Sequence, residues 1–129
     1  MCHFLSVDDL NFLKRGGRLP PMAAAIGTIL DLKPLLYFDG QGRVAVAEKV
    51  RGKNRLLREM VKRYGQKALQ PENGEIAIIH GDCIEDAEQL AQMLRQAYAG
   101  VSIITACFEP TTGAHAGPGA LAIVFWGTE

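Results

Sequence analysis

KPLLYFDGQGRVAVAEKVRGKNRLLREMVKRYGQK, residues 33–67, changes its apolar period partway along, and that change decides the fold class. Lys33–Asp39 reads as a strand. Arg43–Val50 alternates apolar and polar residues with the period of two that a half-buried strand needs. Between them Asp39-Gly40-Gln41-Gly42 is a hairpin signal, because tight turns demand positive φ. From Gly52 to about Lys67 the period lengthens: Leu56, Leu57, Met60, Val61 and Tyr64 fall on one face of a helix. A hairpin feeding directly into an amphipathic helix places strand and helix in one packed unit.

Working outward, Pro71–Gly74 is a loop, and Ile76–His80 is a short apolar strand. Asp82 to about Tyr98 is a helix that turns Ile84, Ala87, Leu90, Ala91 and Leu94 inward, with its acids near the N-terminus, where the helix dipole favours them. Val101–Phe108 and Ala120–Trp126 are strands. Upstream, Ser6-Val7-Asp8-Asp9 before Leu10, Phe12 and Leu13 reads as the cap of a short helix that Gly16-Gly17 stops. A small-residue helix follows from about Met22 to Asp31. Met1–Ser6 reads as a lead-in to the first helix. The expected fold is α/β (α+β-like): a mixed, partly antiparallel sheet of about five strands packed with helices, in one domain over 1–129.

Bulk properties narrow the function. The chain has 129 residues, 48% hydrophobic and 22% charged, values that exclude disorder and collagen-like structure. The longest apolar run, Met22–Leu30, is well short of the ~18 residues of a membrane span. No secretory signal pattern opens the sequence, so a soluble, cytoplasmic protein is expected. Cys2, Cys83 and Cys107 are odd in number and widely spaced, which argues against a disulfide framework; no Cys/His cluster suggests a metal. The net charge is zero but segregated. Nine Lys or Arg lie between Arg43 and Lys67 against Glu48 and Glu59, and six acidic residues with no basic one lie between Glu72 and Glu88. A local basic face able to meet an acidic partner follows.

Two residues carry unusual local chemistry. Arg18, between a glycine pair and Pro20-Pro21, can hold a carboxylate or phosphate through paired N–H donors, although its residues alone favour a solvated arginine at a helix end. His115 sits in Gly113-Ala114-His115-Ala116-Gly117-Pro118-Gly119, where small neighbours let backbone approach a ligand; a loop histidine in a turn has the same surroundings. That run meets neither the P-loop nor the dinucleotide pattern and leads into a strand, which argues against a nucleotide. No nucleophile with a partnering base and acid is identified by spacing. Arg51, Arg55, Arg58 and Lys62, three or four residues apart, form a basic stripe on the long helix. Zero net charge and a lone Tyr64 argue against nucleic acid and leave a solvated face or a protein partner. His3 and His80 carry no motif.

Three segments in order, FLSVDDLNFLKRGGRLP, AAAIGTILDLKPLLYFDGQGRVAVAEKVRGKNRLL and GAHAGPGALAIVFW, resemble the DegV family over essentially the whole chain. DegV-like proteins are two-domain bacterial fatty-acid carriers. They enclose one acyl chain between the domains and present it to an ATP-dependent fatty acid kinase, which makes acyl phosphate for phospholipid synthesis. The resemblance implies a C-terminal domain, with the family's N-terminal domain absent, that binds a long-chain fatty acid and does no chemistry or cofactor binding itself. It further implies that Arg18 and His115 belong to the polar network at the carboxylate end, that Ile26, Ile29, Leu30 and Gly117 line the lipid, and that Arg51 and Arg55 face the kinase. A half-site would expose apolar surface and favour a homo-oligomer. The rival expectation is a stand-alone protein-interaction domain that has lost lipid binding.

Overall fold

Residues 1–8, 32–109 and 117–128 are described in the computed structural model, Leu32 by its backbone alone. Their elements are strands β1 (Cys2–Ser6), β2 (Leu32–Phe38) and β3 (Val44–Arg51), helix α1 (Lys53–Lys67), strand β4 (Glu75–His80), helix α2 (Ile84–Ala97), and strands β5 (Ser102–Cys107) and β6 (Leu121–Phe125). The six strands make one mixed sheet in the order β3-β2-β1-β6-β4-β5. All neighbours are antiparallel except β4 and β5, which run parallel because α2 carries the chain back over the sheet between them.

The α/β class stands, with one correction. Cys2–Ser6, expected as a lead-in, is a strand, which brings the sheet to six. It lies between β2 and β6 with Cys2, Phe4 and Ser6 buried. His3 and Leu5, on the opposite parity, are half-buried, so both faces are partly covered and the segment lacks the in-out contrast that marks a strand from sequence.

Both helices pack on one face. Leu56, Leu57, Met60 and Tyr64 of α1 and Ala87, Leu90, Ala91 and Leu94 of α2 meet Phe4, Leu35, Ile76, Ile78, Leu121, Ile123 and Phe125 of the sheet in one cluster. Tyr64 lies edge-on to both Tyr98 and Phe125, and its hydroxyl donates to the Pro71 carbonyl at 2.9 Å, so the one polar atom of this large ring is satisfied. Val61 is half-buried at the cluster's margin. Ile84, expected inward, is 47% exposed: as the first residue of α2 it lies before the turn that packs on the sheet. On the opposite face Val7, Leu36 and Ala120 form a smaller cluster with Leu5, Val44, Val46 and Phe108.

The expected hairpin closes as read. Asp39 N–H donates to Arg43 O at 2.8 Å, and the Asp39 carboxylate accepts from the backbone of Gln41 and Arg43, both at 2.9 Å. Those backbone donors, then the Arg43 charge, hold its carboxyl below the usual value. Gly42 supplies the positive φ, +78°, that the turn requires.

Candidate functional site

The strand order brings several chain reversals to one end of the sheet. There β1, β4 and β5 end, β2 and β6 begin, and α1 and α2 have their N-termini. Arg18, Ile26, Ile29, Leu30 and His115 fall in 9–31 and 110–116, outside the described residues. Gly117 is the one proposed lipid contact that is described.

Gly117 is buried at φ +82°. Its carbonyl accepts from Ala120 N–H at 3.3 Å, while Gly119 N–H donates to Gly81 O at 2.7 Å and Gly81 N–H to Ala120 O at 2.8 Å. These bonds lock the Gly117–Ala120 turn onto the turn after β4. Gly119, at φ +85°, lies against the Asp8 carboxylate so closely that a Cβ there would overlap Asp8 Oδ2.

Asp8, just after β1, in turn centres a charge network with residues of three elements, β2, α1 and α2. Lys33 Nζ lies 3.0 Å and Lys53 Nζ 3.8 Å from its Oδ1, and Lys53 Nζ also donates to Asp86 Oδ2 at 2.8 Å. Burial alone would lower the Lys53 ammonium, but the Asp86 hydrogen bond and the charges of Asp8 and Asp86 outweigh it and raise its pKa. With two carboxylates on two ammoniums, the network is internally neutral and anchors the starts of both helices.

Beside it lies a sulfur–imidazole group. His80 is buried, and its Nδ1 accepts the Cys83 backbone N–H at 3.1 Å, which leaves Nε2 to carry the proton of the neutral ring. Nε2 faces Cys107 Sγ at 3.6 Å as a donor, and a donor cannot take the thiol's proton. Cys83 Sγ donates to Ala120 O at 3.2 Å, and burial, then the charge of Asp86, pushes this thiol up. Ser6 Oγ, next to the same turn, is buried with no partner among the described residues. The group thus positions the turn. Among the described residues no cluster of three His, Cys, Asp or Glu could hold a metal, and no helix is long and apolar enough to cross a membrane.

Arg51 and Arg55 line one groove, but Arg51 is the last residue of β3 and not part of a stripe on the long helix, which starts only at Lys53. With Lys49, Arg58, Lys62, Glu48 and Glu59 they line an open groove of about 600 Å³ between the outer strand β3 and α1. Arg63 leaves that stripe to bond Glu48 and Glu59 at 3.1 and 3.0 Å. A larger groove of about 640 Å³, bounded by His3, Phe4, Tyr37, Phe38, Arg63 and Lys67, opens at the far end of the sheet, away from Gly117. Sequence reasoning missed the Asp8–Lys33–Lys53–Asp86 network and the His80–Cys107 contact. Their spacings follow the strand order, not any local period, so no signal marks them.

The arrangement defines a class: an α/β domain with a mixed sheet, both described helices on one face, and glycine turns at the end of the sheet where β1, β4 and β5 finish. The family model described as "Uncharacterised protein, DegV family" matches residues 1–128, and the chain belongs to that family. A DegV domain-containing protein of Clostridium perfringens is 39% identical over 127 residues, 98% of this chain and 44% of its own length. The fatty acid binding DegV family protein of Streptococcus agalactiae superposes with a TM-score of 0.81 at 33% identity, covering 99% of this chain and 44% of that one. DegV of Bacillus subtilis, a fatty acid binding protein, gives 0.79 at 31% identity over 99% of this chain and 45% of its own. The chain therefore spans less than half the length of the relatives it matches.

Proposed function

We propose that this domain forms one wall of a fatty-acid carrier, helping to enclose a long-chain fatty acid and to present it to a fatty acid kinase that makes acyl phosphate. The observation that carries the reading is the match, over nearly the whole chain, to solved DegV proteins that bind fatty acids. The geometry is compatible: the turn that holds Gly117 is fixed at the end of the sheet where Asp8, Leu32 and Glu109, the described residues that flank Arg18 and His115 in sequence, also lie. In this reading Arg18 and His115 bond the carboxylate, while Ile26, Ile29, Leu30 and Gly117 contact the acyl chain. The carrier itself does no chemistry. Enclosing a ~16-carbon chain offers on the order of 10 kcal/mol before ordering costs, and a single wall captures part of that. An N-terminal domain like that of the longer relatives supplies the rest.

The basic groove supports a docking role for Arg51 and Arg55 toward an acidic kinase surface. It equally suits a protein-interaction domain without lipid, and one experiment separates the two. Native mass spectrometry is run with palmitate or oleate, on the chain alone and on the chain joined to the N-terminal part of the Clostridium relative. One acyl chain retained by the joined protein, and weakened by Arg18→Ala, is the expected result. A joined protein that folds but stays empty overturns the carrier reading. Arg51→Glu with Arg55→Glu is expected to keep the lipid while slowing kinase-dependent acyl phosphate formation.

A further inference from the structure

The two edges of the sheet are finished differently. β3 carries Glu48, Lys49 and Arg51, and its register against β2 skips Ala47, a bulge. Charges and bulges are the devices that keep an open strand from pairing with another chain. β5 has neither. Its sequence, SIITAC, holds no charged residue and no proline, its register with β4 is regular over all six residues, and nothing pairs with its outer side among the described strands. Every residue of it but Ile103 is exposed, Ile104 to 68%.

The backbone ladder says which groups remain open. Ser102 N–H donates to Gly74 O and Phe108 N–H to His80 O, both at 2.9 Å. Alternation along a parallel strand then turns the peptide groups of residues 102, 104, 106 and 108 toward β4 and those of Ile103, Thr105 and Cys107 outward. We propose that β5 is a self-association edge, on which a second copy of this chain lays its own β5 antiparallel across a two-fold axis through Thr105.

In that register Ile103 of each copy pairs with Cys107 of the other, and Thr105 faces Thr105. All three outward N–H groups and all three outward carbonyls on each copy find partners. Any open ladder admits a strand; the side chains choose this occupant. A two-fold axis sets the central residue against itself, where a charge would repel its copy, and β5 places a threonine there. On the face away from the helices Ile104 meets Ala106 of the second copy, which extends the apolar strip of Ile104 and Val124 that lines a shallow groove of about 320 Å³. A ladder of this length buries less than a standard interface, so association in the micromolar range is expected. The inference does not rest on lipid binding.

Sedimentation equilibrium of the whole chain between about 1 and 100 μM tests it. A reversible monomer–dimer equilibrium is expected. Thr105→Lys weakens it at least about tenfold, and Thr105→Val leaves it in place. Hydrogen exchange gives a readout free of mutation: the amides of Ile103, Thr105 and Cys107 slow as concentration rises, while outward amides of β3 do not. A monomer across the whole range, a dimer indifferent to Thr105→Lys, or β5 amides that ignore concentration each overturns the proposal.

Discussion

Substituting Gly119→Ala tests whether the turn before β6 is fixed by its backbone or by the charge network behind it. Gly119 sits at φ +85°, where an L-residue costs about 1–2 kcal/mol. The added Cβ also overlaps Asp8 Oδ2, so the carboxylate must leave Lys33 at 3.0 Å and Lys53 at 3.8 Å. Those pairs are partly exposed and solvent screens them, so losing both adds about 0.5–1 kcal/mol. The sum, about 1.5–3 kcal/mol, lowers the melting temperature by about 5–11 °C for a domain of this size. Gly42→Ala is the matched control. Its φ of +78° is nearly the same and no atom lies within 4 Å of the built Cβ, so it shows the backbone cost alone. Thermal unfolding followed by circular dichroism is expected to rank Gly119→Ala below Gly42→Ala. In an Asp8→Ala background the excess is expected to vanish. Equal destabilisation by the two glycine substitutions would refute the argument that Asp8 is pinned beneath the turn.

Tyr64→Phe removes a buried hydroxyl that bonds Pro71 O at 2.9 Å, and urea unfolding is expected to show a loss of about 1 kcal/mol; an unchanged midpoint would mean that water replaces that bond at no cost. Burial, then the positive chain terminus, holds the His3 imidazole below its ordinary 6.5, so between its native value and 6.5 the unfolded chain binds the extra proton. This contribution to stability is therefore present above pH 6.5 and is lost as pH falls through the native value, and His3→Phe is expected to flatten that part of a melting-temperature profile. Lys53 has the opposite sign. Raised in the native state, it contributes below 10.5 and loses that contribution as pH rises through its native value, so Lys53→Met should shallow the alkaline limb.

The parts of the fold that were legible in the sequence are those whose neighbours lie close along the chain. The β2–β3 hairpin announced itself through Asp39–Gly42, and α1 and α2 through the spacing of Leu56, Leu57, Met60 and Tyr64 and of Ala87, Leu90 and Leu94. β1 did not, because it is sandwiched between strands from distant positions and carries apolar residues on both parities. Ile84 misled for a related reason: period assigns a face but not the point at which a helix reaches the sheet. At the candidate site, Arg55, Arg58 and Lys62 were readable as one stripe because helix periodicity places them together, whereas Arg51 joins them from the end of β3 through the tight strand-to-helix turn at Gly52. The joining of Asp8 to Lys33, Lys53 and Asp86 was not, since each residue arrives from a different part of the chain. Arg18 and His115 stood out by local composition alone, and Gly117 with them; of the three, Gly117 lies in a turn whose bonds can be traced.

The position of β6 has a consequence for how the chain comes to be folded. β1, β2 and β3 form one hydrogen-bonded block on which α1 packs, and β4 and β5 form another on which α2 packs; among the described strands only β6, Leu121–Phe125, bonds to both. During synthesis the two blocks emerge in turn, each with an apolar strand edge waiting for a neighbour that has not yet been made. Continuity of the sheet is settled only when Phe125 has cleared the ribosome and slid between Cys2 and Ile76, its register partners on either side. The β1–β6 pairing spans the longest sequence separation among the described strands, and contacts of that kind are slow to form.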